Sequence, residues 1–174
     1  MPGSCGGPSF RIRSARSAAE VAVVRSLFEE YAASLGVDLC FQGFDRELRE
    51  LPGEYVLPRG ALFFASVGGR PAGCVAVRPL PRGRAELKRL YVRPRFRGSG
   101  IGRTLALAAI RAARRVGYRA LRLDTLPAMG RAQALYVALG FREISAYRPN
   151  PVPGARYFEL DLTVARADRR GTTK

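Results

Sequence analysis

Hydrophobic and polar positions change period several times along the chain, and each change marks an element. Phe10 and Ile12 alternate with Arg11 and Arg13, the period of two of a half-buried strand. Ser17 and Glu20 then form a capping-box pattern. Val21, Val24, Leu27, Phe28, Tyr31 and Leu35 follow at helical spacing up to Gly36, a helix terminator. Residues 44–51 predict a second, short helix stopped by Pro52-Gly53. Residues 61–67 and 72–77 read as strands joined by Gly68-Gly69, a hairpin signal. A loop is expected over 79–83, then a strand over 85–92 ended by Pro94. The Ala- and Leu-rich stretch 102–116 predicts a helix, with Arg114 and Arg115 in its last turn and Gly117 after it. A strand over 120–124, a helix over 128–139 ended by Gly140, and late strands over 141–144 and 157–162 complete the pattern. The order predicts an α+β domain, a mixed sheet with helices on its faces.

Length and composition narrow the class. The 174 residues suit one domain, and 47% hydrophobic with 25% charged residues excludes a disordered chain. Residues 1–8 (Gly, Pro, Ser) predict a flexible terminus and 165–174 a polar tail, leaving 9–164 as the domain. No apolar run reaches the roughly 18 residues of a membrane span. Residues 1–16 hold no apolar signal-peptide core, so a cytoplasmic protein is expected. The chain has no histidine, which excludes zinc sites of the usual kind and every His-based catalytic device, and no metal is expected. Cys5, Cys40 and Cys74 are scattered; Cys40 and Cys74 are expected to be small buried hydrophobes.

The formal net charge is +16, which first suggests nucleic acid. Its distribution says more. From Arg78 to Arg122 there are 14 bases and one acid, Glu86. Between Glu29 and Glu54 the bias reverses, with seven acids and two bases. One face is therefore read as receiving an anion and another a cation; a solvated helix face explains the acidic bias equally well.

The sharpest local feature is Arg97-Gly98-Ser99-Gly100-Ile101-Gly102, between a strand and a helix. A helix start leaves backbone N–H groups without partners, and the helix dipole makes that end positive. Glycines let the backbone approach a ligand, so the turn predicts an anion cradle, most often for phosphate. Arg93, Arg95, Arg97 and Arg103 surround it in sequence. A Walker A loop is excluded because Arg103 stands where that loop has its Lys, and the third glycine of a dinucleotide fingerprint is missing.

The run Leu90-Tyr91-Val92-Arg93-Pro94-Arg95-Phe96-Arg97-Gly98-Ser99-Gly100-Ile101-Gly102 resembles the GNAT superfamily of acetyl-CoA-dependent N-acetyltransferases. It holds that family's R/Q-x-x-G-x-G/A signature at Arg97, Gly100 and Gly102. Downstream, Ala132 to Phe141 is similar to its A-x-x-L-Y-x-x-x-G-F segment. The resemblance covers about residues 60–145 most strongly. It implies a mostly antiparallel mixed sheet with helices on both faces and a splayed parallel strand pair at the cofactor site. It also implies acetyl-CoA as co-substrate, with Leu90, Tyr91 and Val92 along the pantetheine arm. The amides of Arg97, Gly98, Ser99, Gly100, Ile101, Gly102 and Arg103 would lie on the pyrophosphate. One departure is Met129, where many members carry an Asn that contacts the cofactor.

The implied reaction needs a neutral amine. Deprotonating a lysine-like amine costs about 4.6 kcal/mol at pH 7, so a base helps. Glu86 is the candidate, expected on one strand face with Lys88, Leu90 and Val92 by the period of two. The alternative is a salt-bridge partner for the surrounding arginines, and Lys88 beside it would weaken it as a base. The resemblance assigns Tyr136 the proton for the departing thiolate; its alternative is a half-buried helix aromatic. Asp124, at a strand end, is a candidate for substrate contact or a secondary base, or else a cap. The acceptor pocket of the family is shaped by segments that here hold Phe41, Gln42, Phe44, Tyr55, Tyr147, Arg148 and Asn150. Phe41 and Tyr147 are the candidates there. A small amine or amino acid is the expected acceptor, with a protein N-terminus or Lys behind it. Competing readings are a CoA-binding sensor without turnover and a basic nucleic-acid module. Against the module, no helix-turn-helix signal appears and few aromatics interleave with the basic stretch. No membrane partner is expected, and a homodimer stays open.

Overall fold

Helix α1 (Ala18–Leu35) starts as its sequence dictates, in a computed structural model that describes residues 9–40 and 43–163. The Glu20 N–H donates to Ser17 Oγ (3.2 Å) and the Ser17 N–H donates to the Glu20 carboxylate (3.1 Å). Gly36 closes the helix with φ +64°, a left-handed conformation that a side chain would resist. The expected flexible terminus (1–8), Phe41 and Gln42, and the polar tail (165–174) lie outside the described residues.

Strand β1 (Phe10–Ser14) precedes α1, and α2 (Phe44–Glu50) follows it. Then come β2 (Ala61–Val67), β3 (Arg70–Leu80) and β4 (Arg84–Val92). A short 3-10 turn, Pro94–Phe96, leads to α3 (Ile101–Val116). The chain continues through β5 (Ala120–Thr125), α4 (Gly130–Ala138), β6 (Arg142–Ile144) and β7 (Arg156–Asp161).

The strands form one sheet in the order β1-β2-β3-β4-β5-β7-β6. Only β4 and β5 pair in parallel. The fold is therefore a mixed, mostly antiparallel α+β architecture. Helices α1 and α2 cover one face, where Val24, Leu27, Phe28 and Phe44 pack on Phe64, Cys74, Ala76 and Tyr91. Helices α3 and α4 cover the other, where Leu105, Ala109 and Tyr136 pack on Val75, Ala85, Leu87 and Leu121. Burying these apolar areas at about 25 cal/mol per Å² fixes both layers to the sheet. The alanines of α3 let its backbone lie close to the strands.

Two sequence expectations are corrected. Strand β3 runs through Pro79, where a loop was expected over 79–83. Pairing of β2 stops at Val77, so Pro79 faces no strand on that side and its missing N–H breaks no ladder bond. Cys40 is exposed, whereas Cys74 is buried. The Cys40 N–H donates to Asp38 Oδ1 (2.8 Å) in a turn that sends Leu39 inward instead.

Candidate active site

Two backbone features sit at one end of β4. The first is the glycine turn. Gly98 (φ +81°) and Gly100 (φ +84°) are left-handed, and a Cβ on either would meet nothing within 4 Å, so the turn lies open. The Thr104 N–H closes the first helical bond, on Gly100 O (3.0 Å). The amides of Ile101, Gly102 and Arg103 precede that bond and point out of the helix start. Arg97 departs from expectation: its N–H donates to Pro94 O (3.2 Å) and its side chain to Val92 O (3.0 Å). Its amide is therefore not part of the cradle. Arg93 is also engaged, donating through Nε and Nη2 to Glu30 (2.9 and 2.6 Å). Arg103 remains exposed in the first turn of α3.

The second feature is a parting of the sheet. Strands β4 and β5 pair only from Arg84↔Ala120 to Glu86↔Arg122. Both continue beyond, to Val92 and Thr125, without pairing to each other, while β4 stays paired to β3 and β5 to β7. Over the same stretch β4 carries an extra residue against β3: Lys88 faces Ala76, but Tyr91 faces Cys74. Arg89 takes up the excess at φ +57°. A bulge inverts the alternation of side chains. Glu86 and Lys88 consequently lie on the α1/α2 face, and Leu90 and Val92 pack on the α3/α4 face. The expectation that all four share a face is thereby corrected. Tyr91 turns its ring to α1, 6.1 Å from Tyr31.

Arg89 anchors the bulge. It is 5% exposed, donates to both Glu47 oxygens (3.1 and 2.5 Å) and lies over the Phe44 ring at 5.0 Å. A second set of charges ties the parted strands together. Arg78 Nε donates to Glu86 Oε2 (2.7 Å), and the Tyr147 hydroxyl donates to Glu86 Oε1 (2.7 Å). Arg148 reaches Glu86 Oε1 at 3.3 Å and Asp124 Oδ1 at 2.5 Å, so one guanidinium spans β4 and β5. Asn150 Nδ2 donates to Asp124 Oδ2 (3.0 Å). The loop before β7 is thus strapped across the gap. The acidic segment also meets partners inside the chain: Glu30 takes Arg93, Glu47 takes Arg89 and Glu54 takes Arg78.

Between the strands lies a narrow cleft. Tyr31 and Leu35 line it from α1, Lys88 and Leu90 from β4, Asp124 from β5 and Tyr136 from α4. Its lining therefore draws on both helical layers. Burial pushes the Lys88 ammonium down to about 7, with Arg89 and Arg148 adding to the shift and Glu86 and Asp124 opposing it. Burial disfavours the Asp124 carboxylate, but Lys88 and Arg148 win and hold it below the ordinary aspartate range. Burial pushes the Tyr136 and Tyr31 phenols up, so both stay protonated.

Of the residues singled out from sequence, Leu90, Asp124 and Tyr136 line the cleft, and Met129 does too. Met129 is the N-cap of α4 and makes no side-chain cap bond. Glu86 is fully buried, with both oxygens taken, which is its salt-bridge reading. Tyr147 packs edge-on against Tyr157 (5.5 Å) and serves Glu86. Phe41 lies outside the described residues. Sequence reasoning missed Lys88 as a cleft residue and the tie from Arg89 to Glu47. Two consecutive charges, Lys88-Arg89, inside a buried strand are the signal that marks a bulge.

The sequence model of the acetyltransferase (GNAT) family matches residues 24–141. An uncharacterized N-acetyltransferase of Schizosaccharomyces pombe is 38% identical over 80% of this chain and 86% of its own. A GNAT-family acetyltransferase structure from Staphylococcus aureus superposes with a TM-score of 0.74 at 19% identity, covering 88% of this chain and 99% of that one. A Salmonella typhimurium acetyltransferase structure, solved with acetyl-CoA, gives 0.69 at 19% identity over 91% and 96%.

Proposed function

The chain belongs to the GNAT acetyltransferase family, and we propose that it moves an acetyl group from acetyl-CoA to the primary amine of a small molecule or amino acid. One observation carries this reading: the open glycine turn and the parted β4–β5 pair lie at the same end of β4. Val92 Cγ2 is only 3.6 Å from where a Cβ on Gly102 would stand. Ile101, Gly102 and Arg103 have amides suited to a pyrophosphate. Leu90 and Val92 face α3 and α4, on an edge of β4 that no longer pairs with β5, which suits an amide-bearing arm. The residues present therefore fit acetyl-CoA, which supplies the acetyl thioester when bound.

On this reading Tyr136 gives its phenolic proton to the departing sulfur. Its place on the wall of the cleft is what supports this role; burial raises its proton affinity and by itself makes it a weaker acid. Glu86 is a positioning residue: its carboxylate orders Arg78, Tyr147 and Arg148 around the gap. The acceptor enters from the α1 side, past Tyr31 and Leu35.

Calorimetric titration of acetyl-CoA at low and moderate salt tests the reading. Saturable one-to-one binding that survives moderate salt, followed by acetylation within a panel of primary amines and amino acids, is the expected result. Saturable binding without turnover favours a sensor. Binding erased by salt and shared with any polyanion favours the basic surface as the functional feature.

A further inference from the structure

We propose that the end of the sheet opposite the glycine turn is a docking surface, built on Arg82, Arg84 and Arg119, for the phosphate backbone of duplex nucleic acid. This surface is separate from the acetyl-transfer site and does not depend on it.

The basic stretch 78–122 folds into two groups of charge. Arg95, Arg97 and Arg103 go to the C-terminal end of β4, around the glycine turn. Arg82 and Arg84 stay at the other end; Arg84 starts β4, roughly 26 Å from Val92 at 3.3 Å per residue. Helix α3 runs back along the sheet and carries Arg114 and Arg115 to that same end in its last turn. Arg119 follows. Its N–H donates to Gly83 O (2.9 Å), which joins the turn before β4 to the start of β5. A Cβ on Gly83 would stand 3.9 Å from Arg119 Nε. Arg84 is in register with Ala120, so it shares a sheet face with Arg122, two residues along β5.

The charge at this end is not cancelled. Arg82, Arg84 and Arg119 have no carboxylate partner among the described residues, and Arg84 Nε donates to a backbone group, Pro81 O (3.2 Å). Desolvation, then the charges of Arg122, Arg82 and Arg119, lower the proton affinity of Arg84; Glu159 opposes them. Each guanidinium disfavours the next, and an anion between them relieves that. The nearby acids are engaged: Glu159 takes Arg122 (2.5 Å), and Asp161 Oδ1 accepts from the Thr163 N–H (2.8 Å) and hydroxyl (2.6 Å). The Leu162 N–H donates to Arg119 O (2.9 Å), and the sequence beyond it, 164–174, holds four bases and one acid.

The chemistry of the surface selects the partner. A guanidinium fork matches phosphate oxygens. Residues 81–84 and 117–119 expose no large apolar side chain; Tyr118 packs against the core and its hydroxyl donates to Arg59 O (2.7 Å). These turns therefore offer no ring for an unpaired base to stack on and no anchor for a bilayer. The phosphates of a duplex need neither, and are bound without reading sequence.

Fluorescence anisotropy of a short labelled duplex, with the full chain over a salt series, tests this. Log affinity is expected to fall linearly with log salt. Replacing Arg82, Arg84 and Arg119 together by Gln should weaken binding about tenfold or more and lower the slope by about 2.7, at about 0.9 per phosphate contact. The matching triple Lys variant keeps the charge and should keep the slope; a loss equal to that of the Gln variant overturns the proposal. Replacing Arg11, Arg16 and Arg70, exposed elsewhere, by Gln removes the same formal charge and should change the slope far less. An equal loss there means that net charge binds diffusely, and overturns the proposal. Absence of duplex binding at low salt overturns it too. Polyglutamate or phosphatidylserine vesicles competing as well as unlabelled duplex assign the surface to an acidic protein or a membrane instead, with the same consequence. Saturating acetyl-CoA should leave the duplex bound, and the triple Gln variant should bind acetyl-CoA as the parent does; displacement of the duplex by acetyl-CoA would place both at one site and overturn the proposal.

Discussion

The two sides of the sheet around the parted strands are built from different materials. On the α3/α4 side the chemistry is backbone: left-handed glycines, free amides and the turned end of β4. On the α1/α2 side it is side chain: Glu47, Arg78, Glu86, Arg89, Asp124 and Arg148, drawn from α2, β3, β4, β5 and the loop before β7. A backbone site is made by consecutive residues and tolerates most side-chain changes nearby. A charge network fails as a unit, because each member is buried against another's charge.

Breaking the network at its centre should have the largest effect. Glu86→Gln leaves Arg78 and Arg148 short of an anion and should cost about 2–4 kcal/mol in urea unfolding. The lower end applies because Arg148 keeps Asp124 and Arg78 keeps Glu54. The same change removes an anion that raises the Lys88 value, so the midpoint of its titration, read by NMR on isotope-labelled lysine, should move further down. Acetyl-CoA affinity should barely change; a large loss there would mean that the two sides are one coupled unit.

Gly100→Val is the matching change on the other side. It places a β-branched side chain at φ +84°, a strain of roughly 1–3 kcal/mol. It should weaken acetyl-CoA binding by about tenfold or more, read by calorimetry, while the Lys88 midpoint stays put. Tyr136→Phe sharpens the comparison further, since Tyr136 lines the cleft from the α3/α4 layer. About tenfold slower turnover at unchanged acetyl-CoA affinity is expected; parent-like turnover would remove it as the acid.

The smallest effect is on acid stability. The Asp124 value is depressed in the folded chain, so its ion pairs stabilise above the unfolded value of about 3.9. That contribution is lost as pH falls through the folded value. Melting curves below pH 4 should therefore fall more steeply for the parent than for Asp124→Asn.

Much of the fold was legible because its signals are local. Ser17, Glu20 and Gly36 set α1, and Gly68-Gly69 set the turn between β2 and β3. Their hydrogen bonds and backbone angles depend on residues a few positions apart. Pro79 and Cys40 were misread for the opposite reason: whether a strand or a core lies beside them is decided elsewhere in the chain.

The site divides the same way. Sequence alone determined the glycine turn, since adjacent residues and a following helix suffice to leave amides unpaired. Tertiary structure decided what Glu86 and Lys88 are. One extra residue at Arg89 moved Leu90 and Val92 to the opposite face from them. Arg148, 62 positions beyond Glu86, took up its carboxylate. Proton affinity follows from desolvation and from charges a few ångströms away, and those distances exist only once strands and loops far apart in sequence have packed together.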